Sequence, residues 1–363
     1  MSKVQALYIH IPFCNKICDY CDFTKLQYFR KFAVPYLEAL EDELASYFIG
    51  ELKTIYVGGG TPTALEDDLF EKLLEIIDKY SNGVQEYTFE ANPESLTPQK
   101  IALMKQHGVN RVSLGVQTTN DNILQAINRE HTFEQVQEAV KNLRDGGIDN
   151  INVDLILGLP HTSENILRQD LANILALSPN HISCYGLTVH PHTVFFNKGI
   201  KEPKGDVLRD YYDVVEEILN KNGFVHYEVS NWAKPGFESE HNLTYWRNEQ
   251  YYGTGLSAAG YLGKIRYKNT TNLSQYLDRA FIAEEEQVSS RDKMVYQIML
   301  NLRTNEGLNI DNFKKEFNVN LLKTKSFAIK ELTKAGFITV KDNIIRATYA
   351  GMMTLDQIIL QLI

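Results

Sequence analysis

The stretch LYIHIPFCNKICDYCDF, residues 7–23, joins an apolar, β-rich run to a loop that holds three of the chain's four cysteines. Cys14, Cys18 and Cys21 follow the run directly, with three and then two residues between them. Cysteines of a cytosolic protein stay reduced as a rule, so three thiols this close indicate a metal or redox site and not disulfides. The spacing leaves such a site without a fourth protein ligand.

Composition narrows the class of protein. The 363 residues are 44% hydrophobic and 23% charged, as in ordinary globular proteins, and their number predicts one large α/β unit with a small appendage. The net charge of −9 argues against broad nucleic-acid binding, which needs a basic face. No apolar run reaches the ~20 residues that span a bilayer, and the N-terminal MSKVQALYIHIPF lacks the order of a signal peptide. We therefore expect a cytoplasmic protein that meets a membrane only through a partner.

Strand-like and helical runs alternate over the first 190 residues. Stretches with apolar residues at three- and four-residue spacing, such as VPYLEALEDELASYF and TFEQVQEAVKNLRDGG, separate six β-rich runs. The predicted strands are 4–11, 53–58, 86–91, 111–117, 151–157 and 181–188. Because such alternation gives right-handed crossovers, it predicts a parallel sheet, either doubly wound or curled into a barrel.

Polar and glycine residues concentrate where these strands end. The cysteines follow strand one and GGGTP (58–62) follows strand two, while Glu90, Gln117 and Asp154 belong to strands three, four and five. Each feature alone is equally typical of a tight turn or a solvated strand end. In parallel α/β folds, however, the strand-to-helix loops converge at the carboxyl edge, where ligands bind. The shared edge therefore predicts one site.

Two kinds of metal site suit thiolate ligands. A structural zinc site needs four ligands, and the only nearby candidate, His10, alternates inside strand one. A [4Fe-4S] cluster has four irons, so three cysteines hold three corners and leave one iron open to an outside ligand. The cluster fits the spacing better.

The motif C-x-x-x-C-x-x-C in this position resembles the signature of radical S-adenosylmethionine (SAM) enzymes, in which the methionine part of SAM chelates the open iron. The blocks YVGGGTP, FEANPE, GVQTTN, NREHT and VDLILGLP are similar to those of the oxygen-independent coproporphyrinogen III oxidase group. The resemblance covers essentially the whole chain. It implies an α/β fold, namely a partial (β/α)6 radical SAM barrel with a small, mainly helical, winged-helix-like C-terminal domain.

The resemblance also implies which residues hold the cofactors. Cys14, Cys18 and Cys21 would bind the cluster, and Tyr8 and Tyr20 would lie beside the cluster and SAM. The remaining residues of the SAM pocket would be Gly59, Gly60, Thr61, Glu90, Gln117, Arg129 and Asp154. We expect the glycine-rich turn to receive the methionine part through its backbone N–H groups. One carboxylate would pair with a positive charge of SAM and another would hold the ribose.

Within this group the chain is similar to the haem chaperones, which bind haem and deliver it to respiratory and other haem enzymes. They share an H-N-x-x-Y-W motif, which is present here as His241, Asn242, Tyr245 and Trp246. The oxidases carry a further cysteine two residues after the third, where this chain has Phe23. They also have an N-terminal extension, whereas strand one begins almost at Met1 here. Both departures favour the chaperones.

The motif has a chemical rationale. A neutral imidazole from His241 would be the axial ligand of haem iron, and Asn242 would orient it. Tyr245 and Trp246 would add flat apolar surface. By residue type alone the segment also fits an aromatic core, and three further histidines compete as ligands, namely His190, His192 and His226.

The resemblance therefore implies a haem chaperone that carries a [4Fe-4S] cluster and SAM, with haem and acceptor haem proteins as partners. Oxygen-independent coproporphyrinogen III oxidase is the alternative, and an interaction protein with structural zinc is a third reading. We expect a barrel over 1–200, an extension with the H-N-x-x-Y-W motif over 201–285 and a C-terminal domain over 286–363. Cys184, in the apolar HISCYGL, is expected to be a buried packing residue.

Overall fold

A computed structural model describes residues 3–363, and a parallel sheet organises the first half of the chain. All six predicted strands are present, with ends within two residues of the predicted ones. They are β1 (Ala6–Ile11), β2 (Thr54–Gly59), β3 (Glu86–Ala91), β4 (Arg111–Gln117), β5 (Asn150–Leu157) and β6 (His181–Gly186).

These six strands lie side by side in chain order, each parallel to the next. The helices that connect them are α1 (Arg30–Ser46), α2 (Asp67–Asp78), α3 (Pro98–Gln106), α4 (Asp121–Ala126), α5 (Phe133–Asp145) and α6 (Glu164–Ala176). In a doubly wound sheet the strand order reverses midway. Sequential order keeps right-handed crossovers on one side of the sheet and curls it. The prediction of a partial (β/α)6 barrel is confirmed.

The two faces of the sheet differ in polarity because successive side chains of a strand point to opposite faces. Toward the helices, residues such as Leu7, Ile9, Ile55 and Val57 form the main hydrophobic core together with Cys184, which is fully buried as predicted. The inner face carries polar side chains. They are Tyr8, His10, Thr54, Tyr56, Glu86, Thr88, Glu90, Arg111, Ser113, Asn152, Asp154, His181 and Ser183. The barrel interior is therefore built to hold polar groups.

The segment after β6 extends the same sheet at both edges. Its helices are α7 (Val194–Asn197), α8 (Gly205–Lys221), α9 (Glu240–Trp246) and α10 (Leu273–Leu277). Its strands are β7 (Val225–Glu228), β8 (Asn231–Ala233), β9 (Tyr252–Thr254), β10 (Ala259–Leu262), β11 (Ile265–Asn269) and β12 (Ile282–Gln287). Strand β8 pairs antiparallel with β6, and β9 pairs parallel with β1. Strands β10–β12 form a separate antiparallel sheet.

The C-terminal part has the winged-helix-like arrangement that the sequence predicts. Its helices are α11 (Ser290–Asn301), α12 (Ile310–Phe317), α13 (Leu321–Thr324), α14 (Ser326–Lys334), α15 (Tyr349–Met352) and α16 (Leu355–Leu362). The hairpin of β13 (Ile338–Lys341) and β14 (Ile344–Ala347) pairs with the short strand Leu308–Asn309. These elements enclose a second hydrophobic core. The division of the chain at residues 200 and 285 stays a prediction.

Within residues 3–363, no helix combines the length and the hydropathy that crossing a bilayer requires.

Candidate functional site

A cavity of about 400 Å³ opens at the carboxyl ends of β1–β6. It brings together most of the residues that the sequence predicts for the cofactors. The predicted residues that line it are Cys14, Cys18, Tyr20, Cys21, Gly59, Gly60, Thr61, Glu90, Gln117, Arg129 and Asp154. Tyr8 is not among the lining residues, and neither are the four residues of the H-N-x-x-Y-W motif.

The cysteine loop is fixed at its base and at its tip. At the base, Leu26 N–H donates to the Pro12 carbonyl at 2.7 Å and Tyr28 N–H to the Cys14 carbonyl at 2.8 Å. At the tip, Asn128 Nδ2 donates to the Ile17 carbonyl at 2.8 Å. The loop is therefore held over the barrel mouth by two backbone hydrogen bonds and by the Asn128 side chain.

The three thiols face the same cavity from different depths. Burial raises the pKa of the Cys14 thiol to about 12, and burial also raises the pKa of Cys21. Thr61 Oγ1 lies 3.7 Å from Cys14 Sγ, and Arg129 Nη1 lies 3.5 Å from Cys18 Sγ. Among residues 3–363, no three histidine, cysteine or acidic side chains converge on a point where one metal ion would sit. All three thiols line the cavity, so a group bound there would meet them together.

The glycine-rich turn after β2 is packed too closely for larger residues. A Cβ on Gly58 would lie 2.6 Å from the Glu90 carboxyl carbon, and one on Gly60 would lie 2.7 Å from the Pro12 backbone. The N–H groups of Gly59, Gly60 and Thr61 donate to Glu90 Oε2 (2.9 Å) and to the carbonyls of Ile11 and Phe13 (2.8 Å each). In this structure all three N–H groups are already bonded, so their contact with the methionine carboxylate stays a prediction. Their carbonyl oxygens are the backbone groups that the turn could offer.

Two carboxylates reach the cavity from neighbouring parts of the sheet. Glu90 accepts hydrogen bonds from Tyr56 Oη (2.8 Å) and from Gly59 N–H, and desolvation inside the barrel raises its pKa to about 7. Asp154 accepts from Ser113 Oγ (3.0 Å) and Asn152 Nδ2 (2.7 Å), and burial raises its pKa as well. A positively charged ligand beside either group would lower its pKa and favour the ionised carboxylate, which would in turn attract the ligand.

Arg129 is a buried cation in the cavity wall. Its Nη2 donates to Asn92 Oδ1 at 2.9 Å and to the Gly115 carbonyl, while its Nε is buried without a partner. Gln117 has a φ of 71°, an uncommon conformation for a residue other than glycine, and it also lines the cavity. An unpaired buried donor and a strained backbone at the same cavity are typical of a ligand site. The residues present fit SAM beside a cluster.

Sequence reasoning missed several lining residues. Asn92 follows Glu90 by two positions and joins Arg129 to Thr61, to which it donates at 3.1 Å. Five others share the inner face of the barrel with predicted residues. They are Tyr56, Ser113, Gly115, Ile156 and Tyr185. Alternation along the strands predicts some of them, because Ile156 is two residues from Asp154, and Gly115 and Ser113 are two and four residues from Gln117.

The H-N-x-x-Y-W motif forms α9, which closes the opposite end of the barrel. Glu86, the first residue of β3, accepts hydrogen bonds from Ser239 Oγ (3.0 Å) and from the N–H groups of Glu240 (2.7 Å) and His241 (3.2 Å). The His241 side chain is fully buried, with Nδ1 2.9 Å from Thr54 Oγ1 and Nε2 2.7 Å from Tyr245 Oη. In this conformation neither ring nitrogen is open to haem iron.

The motif makes its contacts within the protein. Thr54 and Tyr245 hydrogen-bond the His241 imidazole in this structure, and its orientation by Asn242 stays a prediction. Trp246 packs against a small cluster of Tyr227, Ala233 and Leu243. The haem contacts predicted for the motif stay a prediction.

The three competing histidines occupy different environments. His190 lines the cavity mouth, with Nε2 3.3 Å from Asp22 Oδ2. His192 is exposed. His226 stacks on Trp232 with ring centroids 4.0 Å apart. Of these, His190 alone shares the cavity with the cysteines.

Known families match both parts of the chain. The radical SAM superfamily model matches residues 8–172, and the HemN C-terminal domain model matches residues 288–354. The heme chaperone HemW of Lactococcus lactis is 40% identical over 92% of this chain and 90% of its own length. The heme chaperone HemW of Bacillus subtilis is 36% identical over 96% and 97%, and that of Escherichia coli 33% over 79% of each chain.

This chain belongs to the HemW family of radical SAM proteins. The HemW fold extends to a solved structure, the coproporphyrinogen III oxidase HemN of Escherichia coli. That structure superposes with a TM-score of 0.87 over 99% of this chain and 90% of its own, at 23% identity. The likeness to HemN shows a shared fold. Membership in the HemW family confirms the resemblance that the motifs carry.

Proposed function

We propose that this chain is a haem chaperone, which binds haem and delivers it to acceptor haem proteins in the cytoplasm or at a membrane partner. The observation that carries the proposal is the identity to proteins named heme chaperone HemW over nearly the whole of both chains. A match that spans 90% or more of each chain includes the H-N-x-x-Y-W segment and the C-terminal part. Respiratory haem proteins are among the acceptors that we propose.

The proposal includes a [4Fe-4S] cluster on Cys14, Cys18 and Cys21. SAM would lie in the same cavity, against Glu90, Gln117, Arg129 and Asp154. A cluster of this type supplies one electron to the SAM sulfonium when both are bound. The chain's own part is to hold the thiols on a fixed loop, to exclude water and to place buried carboxylates beside positive charge.

The cavity mouth offers flat apolar surface as well. Phe23 is 66% exposed and Tyr185 is 43% exposed, and both line the cavity. Phe23 stands where the oxidases carry a further cysteine, so at this position the chain presents an aromatic ring instead of a thiol. Aromatic rings stack on macrocycles, and Lys16, which also lines the cavity, could meet a propionate.

The test is an anaerobic preparation in which iron, sulfide and haem are quantified on the same sample. Haem is then titrated by its Soret band, and the loaded protein is mixed with apomyoglobin as a probe acceptor. We expect iron and sulfide near four each per chain by the cluster stoichiometry, saturable haem binding and transfer to the acceptor. Replacement of all three cluster cysteines by serine should remove iron and sulfide.

The oxidase alternative is assayed with the same preparation. Coproporphyrinogen III, SAM and a reductant are added, and protoporphyrinogen IX is measured. Turnover would overturn a pure chaperone role, and a wild type that takes up no haem would overturn the haem proposal itself. An iron-free, zinc-containing preparation would favour a structural zinc protein.

A further inference from the structure

A column of stacked rings crosses the barrel interior from α9 to the cofactor cavity. His241 lies flat on Tyr56, with ring centroids 5.2 Å apart and planes 30° apart. Tyr245 meets the other side of His241 edge-on, at 5.1 Å and 87°. Tyr56 lines the cavity, whereas His241 and Tyr245 lie beneath it.

The His241 imidazole is neutral and is hydrogen-bonded through both of its ring nitrogens. Burial lowers its pKa to about 3, so the ring carries one N–H donor and one acceptor nitrogen. Thr54 Oγ1 and Tyr245 Oη occupy both nitrogens. Thr54 is the first residue of β2 and Tyr245 lies one helical turn beyond His241, so the ring is fixed from the sheet and from the helix.

Tyr56 links His241 to the cavity through a hydrogen bond to Glu90. Its hydroxyl donates to Glu90 Oε1 at 2.8 Å, and Glu90 Oε2 accepts from Gly59 N–H at 2.9 Å. Tyr56 also lies beside Tyr8, at 6.1 Å, and Tyr8 Oη shares a hydrogen bond with His10 Nδ1 at 3.0 Å. His10 Nε2 in turn reaches the Thr24 carbonyl in the cysteine loop at 2.8 Å. The column thus touches both the glycine-rich turn and the cluster loop.

We propose that His241 is a positioning residue for SAM, which acts by packing Tyr56 in place so that Tyr56 and Gly59 orient the Glu90 carboxylate. In this role the histidine of the motif supports the cofactor cavity from below and is not an axial ligand of haem. The inference rests on SAM binding within the proposed function, and it places haem away from the His241 ring nitrogens.

Removal of the His241 ring would act through Tyr56. An alanine there leaves a void under the Tyr56 ring and removes the partner of both Thr54 and Tyr245. Tyr56 can then sink into the void, and its hydroxyl leaves Glu90. A hydrogen bond to a charged group is worth more than a neutral one, so we expect SAM binding to weaken by roughly tenfold or more.

The experiment compares variants of the reconstituted, full-length protein. The variants are His241→Ala, His241→Gln, Tyr56→Phe, the double variant His241→Ala with Tyr56→Phe, and Val136→Ala. Val136 is buried in α5, on the helix side of the sheet, so its truncation lowers stability without touching the column. The measured quantities are the SAM Kd from the change in the EPR spectrum of the reduced cluster, the haem Kd and the midpoint of thermal unfolding.

We expect His241→Ala and Tyr56→Phe each to raise the SAM Kd roughly tenfold, and the double variant to raise it little further, because both changes break one chain of contacts. His241→Gln retains a donor and an acceptor and should recover part of the affinity. Val136→Ala should lower the unfolding midpoint and leave the SAM Kd unchanged. The haem Kd should be the same in His241→Ala and the wild type.

Several outcomes would overturn the inference. One is an unchanged SAM Kd in His241→Ala or, if that variant fails to fold, in Tyr56→Phe. Another is a SAM Kd that rises in Val136→Ala as well, because the loss of affinity would then follow from lower stability alone. Loss of haem binding in His241→Ala at an unchanged SAM Kd would make His241 a haem ligand instead. A wild type that binds SAM but no haem overturns the haem role alone, and one that binds no SAM overturns this inference.

Discussion

Glu90 and Asp154 show how single residues gain their chemistry from the barrel interior. Both are acids that burial makes harder to ionise. A ligand with an ammonium and a sulfonium group would restore the ionised state and would in return be held by it. The same two residues on an exposed strand end would carry no such coupling.

The raised pKa of Glu90 leads to a pH dependence. Because that pKa is about 7, Glu90 is mostly protonated at pH 6 and mostly ionised at pH 8. A cationic ligand binds the ionised form, so SAM affinity should rise with pH, by about tenfold across this range. This pH dependence is measured as the SAM Kd of the reconstituted protein at a series of pH values. Glu90→Gln should flatten the profile, and a slope equal to that of the wild type would contradict the assignment.

Gly58 provides a second prediction at this scale. An alanine Cβ there would lie 2.6 Å from the Glu90 carboxyl carbon, so Glu90 must move and lose Tyr56 or Gly59 as a partner. We expect Gly58→Ala to raise the SAM Kd about tenfold and to cost about 1–3 kcal/mol of stability. Gly205→Ala is the control, because a Cβ there meets nothing within 4 Å. Equal SAM affinity in the two variants would argue against the role of Glu90.

For single residues, the sequence predicted which side chains line the cavity better than it predicted their hydrogen bonds. The cysteines, Glu90 and Asp154 were predicted from their types and their places at strand ends, whereas Arg129 was predicted from the resemblance of its sequence block to the family. The bonded N–H groups of residues 59–61 were not foreseen, because their partners, Ile11, Phe13 and Glu90, belong to other strands.

At the scale of elements, α9 is a short helix that depends on tertiary partners. Its seven residues are too few for a stable isolated helix. Ser239 accepts from Asn242 N–H at 3.3 Å and donates to the Glu86 carboxylate, which also meets two N–H groups of the first turn. The helix is thus capped from its own chain and from the first residue of β3.

The cap of α9 can be tested by substitution. Ser239→Ala removes a buried cap and one bond to Glu86, so it should lower the free energy of unfolding by about 1–2 kcal/mol. Ser163→Ala removes the cap of α6, which accepts only from Ile166 N–H at 3.4 Å, and it should cost less. Urea denaturation of both variants gives the comparison. The reverse ranking would show that α9 does not rely on this cap.

Periodicity was sufficient to predict the six barrel strands, since each is a buried run bounded by loops. It was insufficient for α9. HNLTYW has no long amphipathic repeat, and its packing against Thr54 joins residues 187 positions apart. The sequence offered two readings of this segment, a haem site and an aromatic core, and the structure buries it.

Two large hydrophobic cores stabilise the molecule, beside smaller apolar clusters. The larger lies between the sheet and its helices, and the smaller lies within the C-terminal part. The two parts are joined by backbone hydrogen bonds, from Val229 N–H to the Arg303 carbonyl (3.1 Å) and from Asn305 N–H to the Tyr227 carbonyl (2.8 Å). Asn301 Nδ2 also donates to the Trp246 carbonyl at 2.8 Å, so the C-terminal part supports α9 directly.

The smaller core can be weakened without touching the cavity. Leu302 is fully buried there, and Leu302→Ala should cost about 2–5 kcal/mol of stability. Leu360 is 70% exposed, and Leu360→Ala should stay within about 0.5 kcal/mol of the wild type. Thermal and urea unfolding measure both. Equal stability of the two variants would mean that this core contributes little to the fold.

The sequence by itself determined the barrel, the cysteine loop and the family, because all three are written in local signals: alternation of strand and helix, fixed cysteine spacing and short blocks at strand ends. Tertiary structure decided what those groups can do. It placed His241 under the cavity with both nitrogens occupied, bonded the N–H groups of the glycine-rich turn and desolvated two carboxylates. The physical reason is that hydrogen-bond partners and burial come from residues far apart in the chain, which no local pattern specifies.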